Sequence, residues 1–152
     1  MQPGAEDRKE VAKKNRILIV DDEVDITTVL KRGLEAEGFD VDVYNDPLLA
    51  LHNYKQNAYE LVLIDISMPK MNGFELFREL RARDNKIKVC FITAFEVYYD
   101  EFWRVFPKLK VTCFVRKPVT ISVLAKTIRE EIESTEESIQ VPASLGSTPA
   151  KF

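Results

Sequence analysis

An α/β sandwich built on a parallel sheet is the fold this sequence predicts, and three observations predict it. Short, unbroken apolar runs recur along the chain: Ile17-Leu18-Ile19-Val20, Leu61-Val62-Leu63-Ile64 and Val89-Cys90-Phe91-Ile92. Runs of this length read as strands buried on both faces. Between them, apolar residues return at helical spacing. Regular alternation of strand and helix implies parallel strands joined by right-handed crossovers.

The elements follow in order. After the first run, Ile26, Val29, Leu30 and Leu34 mark a helix, and Gly38 stands where its end wants a left-handed residue. Val41-Asp42-Val43-Tyr44 alternates, as an edge strand with one wetter face does. Asp46 reads as an N-cap with Pro47 in the first turn of a helix carrying Leu48, Leu51 and Tyr54. The second buried strand stops at Asp65. A loop with Pro69, Asn72 and Gly73 then opens a helix bearing Phe74, Phe77 and Leu80. The third buried strand stops at Thr93. A fourth helix is expected over roughly 94–106, before Pro107, with Phe95, Tyr98, Tyr99, Phe102, Trp103 and Phe106 at helical spacing. That stripe reads first as oversized core and otherwise as a partial interface, where Tyr and Trp are enriched. Cys113-Phe114-Val115 is the fifth strand, and Ile121, Leu124, Ile128 and Ile132 mark the last helix.

The chain has 152 residues, enough for one domain with its own core. Residues 1–15 are polar and charged and read as a flexible N-terminal arm, 16–134 as the folded unit, and 135–152, rich in Ser, Thr, Glu and Pro, as a disordered tail. The formal net charge of -3 argues against a general nucleic-acid or membrane-surface binder. Fewer than ~20 residues follow the last helix, too few for a helix-turn-helix output domain. No stretch has the length of a membrane span and the N-terminus lacks a signal-peptide core, so a cytoplasmic protein is expected. Cys90 and Cys113 each sit in an apolar run and read as reduced core residues rather than a disulfide or metal site. A single histidine, His52, cannot complete a metal cluster with them.

In parallel sheets functional residues gather at the carboxyl ends of the strands. The residues just past the buried strands are Asp21 and Asp22, then Asp65, Thr93 and Lys117. Any one of them alone reads as a strand cap; four positions in this order read as a site. Adjacent central strands bring three carboxylates to one crevice, where they repel unless protonated or paired with a cation. Oxygen donors alone suit Mg²⁺. A carboxylate can act as nucleophile and form an acyl phosphate. Mg²⁺ and Lys117 neutralise charge on the transferred group, and a threonine hydroxyl can bond a phosphoryl oxygen.

Four stretches carry a resemblance: Ile17 to Glu23 with its Asp21-Asp22 pair, Leu63-Ile64-Asp65-Ile66-Ser67-Met68-Pro69 with Met71-Asn72-Gly73, Thr93-Ala94, and Phe114-Val115-Arg116-Lys117-Pro118. On these the chain resembles the receiver domains of two-component response regulators, a group that includes stand-alone chemotaxis regulators. The resemblance spans Arg16 to Glu133. It implies a flavodoxin-like, doubly wound five-stranded sheet of order 2-1-3-4-5 with helices on both faces. It implies Asp65 as phosphoacceptor, Asp22 as a direct Mg²⁺ ligand, Asp21 as a ligand directly or through water, and the Ser67 backbone carbonyl as another. It further implies that Thr93 and Lys117 bind the phosphoryl group, that Phe114 is a switch aromatic, and that Lys117-Pro118 is cis. The implied partners are a sensor histidine kinase and an unidentified downstream protein. A homodimer through the face made by the fourth helix, fifth strand and last helix is a further possibility it raises.

Three other readings compete. A carboxylate-nucleophile phosphatase resembles this pattern but has a second Asp two residues after the first, where this chain has Ser67. A flavodoxin-like cofactor binder needs a Ser-, Thr- or Gly-rich loop after the first strand, where Asp21-Asp22-Glu23 repel a phosphate. A scaffold that binds partners without being phosphorylated is the third, against which the intact acidic pocket argues.

Overall fold

The structure, a computed structural model, describes residues 15–94, 104 and 113–134. Five strands form one parallel sheet: β1 (Arg16–Val20), β2 (Asp40–Tyr44), β3 (Leu61–Asp65), β4 (Lys88–Thr93) and β5 (Cys113–Arg116). Their order is β2-β1-β3-β4-β5, the doubly wound arrangement expected from the sequence. Four helices are described: α1 (Val24–Ala36), α2 (Pro47–Asn53), α3 (Gly73–Arg83) and α4 (Ile121–Glu133). Of the helix expected over roughly 94–106 only residues 94 and 104 are described, and its aromatic stripe lies outside the described residues, as do 1–14 and 135–152. No helix among the described residues is long and apolar enough to cross a membrane.

The two faces of the sheet bury separate cores. On one, Leu18, Val20, Val62, Ile64, Val89 and Phe91 pack against Ala50 of α2 and Phe74, Leu76, Phe77 and Leu80 of α3. On the other, Ile17, Ile19, Leu61, Leu63, Cys90 and Ile92 pack against Leu30 and Leu34 of α1 and Leu124, Ala125 and Ile128 of α4. The side-chain period of two in a strand puts successive residues of each apolar run into opposite cores. That is why β1, β3 and β4 show no polar alternation.

Local chemistry fixes the helix ends. Asn72 accepts from the Glu75 N–H while Glu75 accepts from the Asn72 N–H, a reciprocal capping box at 2.9 Å each. Asp46 caps α2 by accepting from Leu48 N–H at 2.9 Å, and Thr120 caps α4 by accepting from Val123 N–H at 3.2 Å. Gly38, at φ +103°, ends α1 in the left-handed region. At the C-terminus of α4, Lys88 donates to the carbonyls of Glu131 and Ile132 at 3.0 and 2.8 Å, placing a cation where the helix dipole is negative.

Periodicity misplaced some helix positions. On α1 the buried stripe is Thr27, Leu30 and Leu34, with Val29 exposed; on α2 it is Pro47 and Ala50, with Leu48 exposed. A short amphipathic helix with apolar residues on two sides leaves its facing undetermined until it is docked.

The cysteines depart from the expectation of two reduced side chains. Cys90 and Cys113 form a disulfide, and no free cysteine remains. The two residues are register partners on neighbouring strands, with Cα atoms 4.5 Å apart. Directly opposed residues in a pair of strands point to the same face, so the sulfurs meet inside the core shared with α1 and α4. Burial of each cysteine is legible in its apolar run. Register between β4 and β5 is not.

Candidate functional site

The carboxyl ends of β1, β3, β4 and β5 converge on one crevice. Asp21 follows β1 and is fully buried; Asp65 closes β3 and is nearly so. Asp22, half-buried, completes a triad in which one carboxylate oxygen from each residue lies within 4.8 Å of the others. Lys117 reaches in from the end of β5. Its Nζ donates to Asp21 Oδ2 at 2.9 Å and lies 3.4 Å from Glu23 Oε1 and 3.8 Å from Asp65 Oδ2. Its backbone N–H donates to the carbonyl of Thr93 at 2.8 Å, which ties the ends of β4 and β5 together. The Lys117-Pro118 peptide is cis.

Electrostatics follow from this crowding. Burial, then the negative charge of Asp21, pushes the Asp65 carboxyl up to about 7, against the opposing pull of Lys117. For Lys117, burial works against the charge. The hydrogen bond to Asp21 and the charges of Asp65 and Asp21 outweigh it, so the ammonium is held above the ordinary lysine value. Among the described residues the triad plus Glu23 thus faces one ammonium, which leaves a surplus of negative charge between them. The donors are all oxygens, which fits a hard divalent cation rather than a soft one.

The loop after β3 is held tightly. Ser67 is exposed and donates its N–H to Asp65 Oδ1 at 3.4 Å. Gly73 donates its N–H to Ile66 O at 2.8 Å, and no room remains beside it: a Cβ there would lie 2.5 Å from the Asp65 carbonyl oxygen and 2.8 Å from Ile66 Cα. Lys70, at φ 73°, reaches over to Asp46 at 2.9 Å, joining this loop to the start of α2.

Thr93 and Phe114 share one face of the sheet. Phe114 stands opposite Phe91, with ring centroids 5.4 Å apart, and Thr93 is two residues further along β4. Thr93 is buried and Phe114 half-buried. The strand-end pattern therefore brings Asp21, Asp22, Asp65, Thr93 and Lys117 to one end of the sheet. Glu23 and Asn45 went unassigned in the sequence. Asn45 stands just past β2, and the same strand-end rule, extended to that edge strand, marks it.

The family model for the response regulator receiver domain matches residues 17–129 of this chain. The chain belongs to that family. The receiver domain is 42% identical over 80 residues to the transcriptional regulatory protein CpxR homolog of Haemophilus influenzae, covering 53% of this chain and 34% of that protein. It is 39% identical over 94 residues to the sensor protein EvgS of Escherichia coli K12, covering 62% of this chain and 8% of that protein. The receiver domain thus spans about a third or less of these curated relatives. Among solved structures it is similar to the CheY-like receiver domain protein of Methanospirillum hungatei JF-1, at 27% identity and a TM-score of 0.68, covering 80% of this chain and 95% of that one.

Proposed function

We propose that this receiver domain accepts a phosphoryl group from a sensor histidine kinase onto Asp65, with Mg²⁺ in the acidic crevice, and that the modification resets a protein-docking surface. The observation that carries the reading is the setting of Asp65. It is a buried carboxylate at a strand end, among two further aspartates and 3.8 Å from an ammonium, in a chain of the receiver family.

The chain's own groups supply the chemistry. A carboxylate oxygen of Asp65 attacks phosphorus, the new O–P bond forms as the donor's bond to phosphorus breaks, and an acyl phosphate results. Attack needs Asp65 ionised. Lys117, already charged and close by, favours that form and then pairs with the phosphoryl oxygens. Asp22, Asp21, Asp65 and the Ser67 backbone carbonyl would hold Mg²⁺, which when bound neutralises charge on the transferring group. The Thr93 hydroxyl would bond a phosphoryl oxygen, leaving space that Phe114, on the same face, turns to fill. The surface so altered would comprise β5 and α4. It would dock a downstream protein or a second copy of this chain. The functional unit is 16–134, acting in the cytoplasm through protein contacts rather than by touching DNA or a membrane, as a switch rather than an enzyme.

Incubation of the purified chain with Mg²⁺ and acetyl phosphate or phosphoramidate, read by intact mass, tests this. One phosphoryl group is expected, and none when the metal is chelated. No uptake from either donor, together with no Mg²⁺ binding by calorimetry, would leave a scaffold that binds partners without phosphorylation.

A further inference from the structure

Asp21 is held through its backbone N–H, its carbonyl and both carboxylate oxygens. Its N–H donates to Tyr44 O at 3.2 Å, which extends the β1–β2 ladder one bond past the strands. Its Oδ1 accepts from Glu23 N–H at 2.9 Å and its Oδ2 from Lys117 at 2.9 Å. Its carbonyl accepts from Asn45 Nδ2 at 2.8 Å. That last bond comes from a side chain rather than from the next backbone N–H of β2, because the chain turns away there into the α2 cap at Asp46.

Asn45 makes a second bond with the same nitrogen. Nδ2 donates to Thr27 Oγ1 at 2.9 Å, and the Thr27 hydroxyl in turn donates to Val24 O at 3.0 Å. The Thr27 proton is thus spent on Val24, so its oxygen must accept from Asn45. Both acceptors therefore demand the NH₂ group and fix which way the amide points. Asn45 itself is exposed, while Thr27 and Asp21 are buried. One surface amide braces the acidic turn at one end and the first turn of α1 at the other.

The Asp21 carbonyl and the Asp22 N–H belong to a single planar peptide unit. Holding the carbonyl therefore sets the direction in which the chain enters Asp22. Asp22 is the least buried of the three carboxylates. We infer that Asn45 is a positioning residue for the divalent-cation site: through the Asp21–Asp22 peptide it aims the Asp22 carboxylate into the crevice. This rests on the Mg²⁺ reading above and adds to it a residue outside the acidic triad. The plainer alternative is that Asn45 only satisfies a carbonyl at a strand end. It would then contribute to stability and not to metal binding.

The two accounts part in the Asn45→Asp variant. This substitution keeps the shape, removes both donors and adds a negative charge beside the crevice. By charge alone it strengthens Mg²⁺ binding. If Asn45 positions Asp22, it weakens binding about tenfold, the scale seen when groups supporting metal ligands are lost. Asn45→Ala, which adds no charge, is expected to weaken binding in the same direction. Mg²⁺ titration by calorimetry on the full chain reads both variants. Amide NMR spectra in chelator report whether the Asp22 and Glu23 signals move while those of β3 and β4 stay. Unchanged or tighter binding in both variants, with only a lower melting temperature, overturns the inference and leaves the Mg²⁺ reading intact. No binding by the parent chain removes both. If Asn45→Asp does not fold, Asn45→Ala alone decides.

Discussion

Asp65→Asn is expected to abolish phosphoryl uptake and, in metal-free buffer at pH 8, to make the protein more stable than its parent. The first half follows because an amide offers no carboxylate oxygen to attack phosphorus. The second follows from what surrounds Asp65. Burial and the charge of Asp21 raise its folded-state value to about 7, above the usual carboxylate range. Between roughly pH 4 and pH 7 the folded chain therefore holds a proton that the unfolded chain has given up. Stability from this group is present in full below about pH 4 and is lost as pH rises through about 7. The variant has no such loss. Its advantage should be on the order of 1–3 kcal/mol at pH 8 and vanish near pH 4. That range sits below the full conversion of the shift, because Lys117 also loses a partner. Mg²⁺ should stabilise the parent more than the variant and narrow the gap. Urea denaturation across pH, with chelator and with Mg²⁺, measures all of this. A parent curve flat from pH 5 to 8 and coincident with the variant's would refute the electrostatic account of the crevice.

Gly73→Ala is the second large effect. The added methyl would meet the Asp65 carbonyl oxygen at 2.5 Å and Ile66 Cα at 2.8 Å. Both are backbone atoms of the segment that carries the phosphoacceptor, so relief requires moving the end of β3 or the start of α3. Overpacking of this kind costs about 1–3 kcal/mol. A displaced nucleophile should also slow phosphoryl uptake by roughly tenfold or more. Gly33→Ala is the control. There the new methyl would meet the Ile121 side chain, closest at its terminal Cδ1, and a side chain can repack. Helix propensity favours Ala over Gly by about 1 kcal/mol, which offsets the repacking. Denaturation midpoints and uptake rates of the two variants should therefore differ sharply. Equal losses in both would mean that the approach at Gly73 has no special bearing on Asp65.

Much of this was legible in the residues. The unbroken runs of β1, β3 and β4 announce central strands because alternate residues feed two cores, and the alternation in Val41 to Tyr44 announces an edge. Strand-end position alone picks out Asp21, Asp22, Asp65, Thr93 and Lys117. What stayed hidden depends on which neighbour a residue meets across the sheet. The Cys90–Cys113 bond needs the β4–β5 register. Asn45 needs the turn of β2 to lie beside the end of β1. Val29 and Leu48 look apolar enough for a core but face outward, because docking angle rather than composition decides the facing of a short helix.

The disulfide gives the molecule a covalent topology as well as a shape. It closes a ring across a sequence separation of 23, from Cys90 in β4 to Cys113 in β5. Thr93 lies within that ring, and Phe114 and Lys117 lie just beyond it. A protease that cuts once between Thr93 and Cys113 opens the ring without releasing either fragment. The piece bearing Lys117 stays covalently tethered to the piece bearing Asp65 until a thiol reductant breaks the bond, after which only the β4–β5 pairing and the shared core join them. Oxidised, the nicked chain remains one molecule with its crevice residues still joined. Reduced, it becomes two chains held by packing and strand pairing alone.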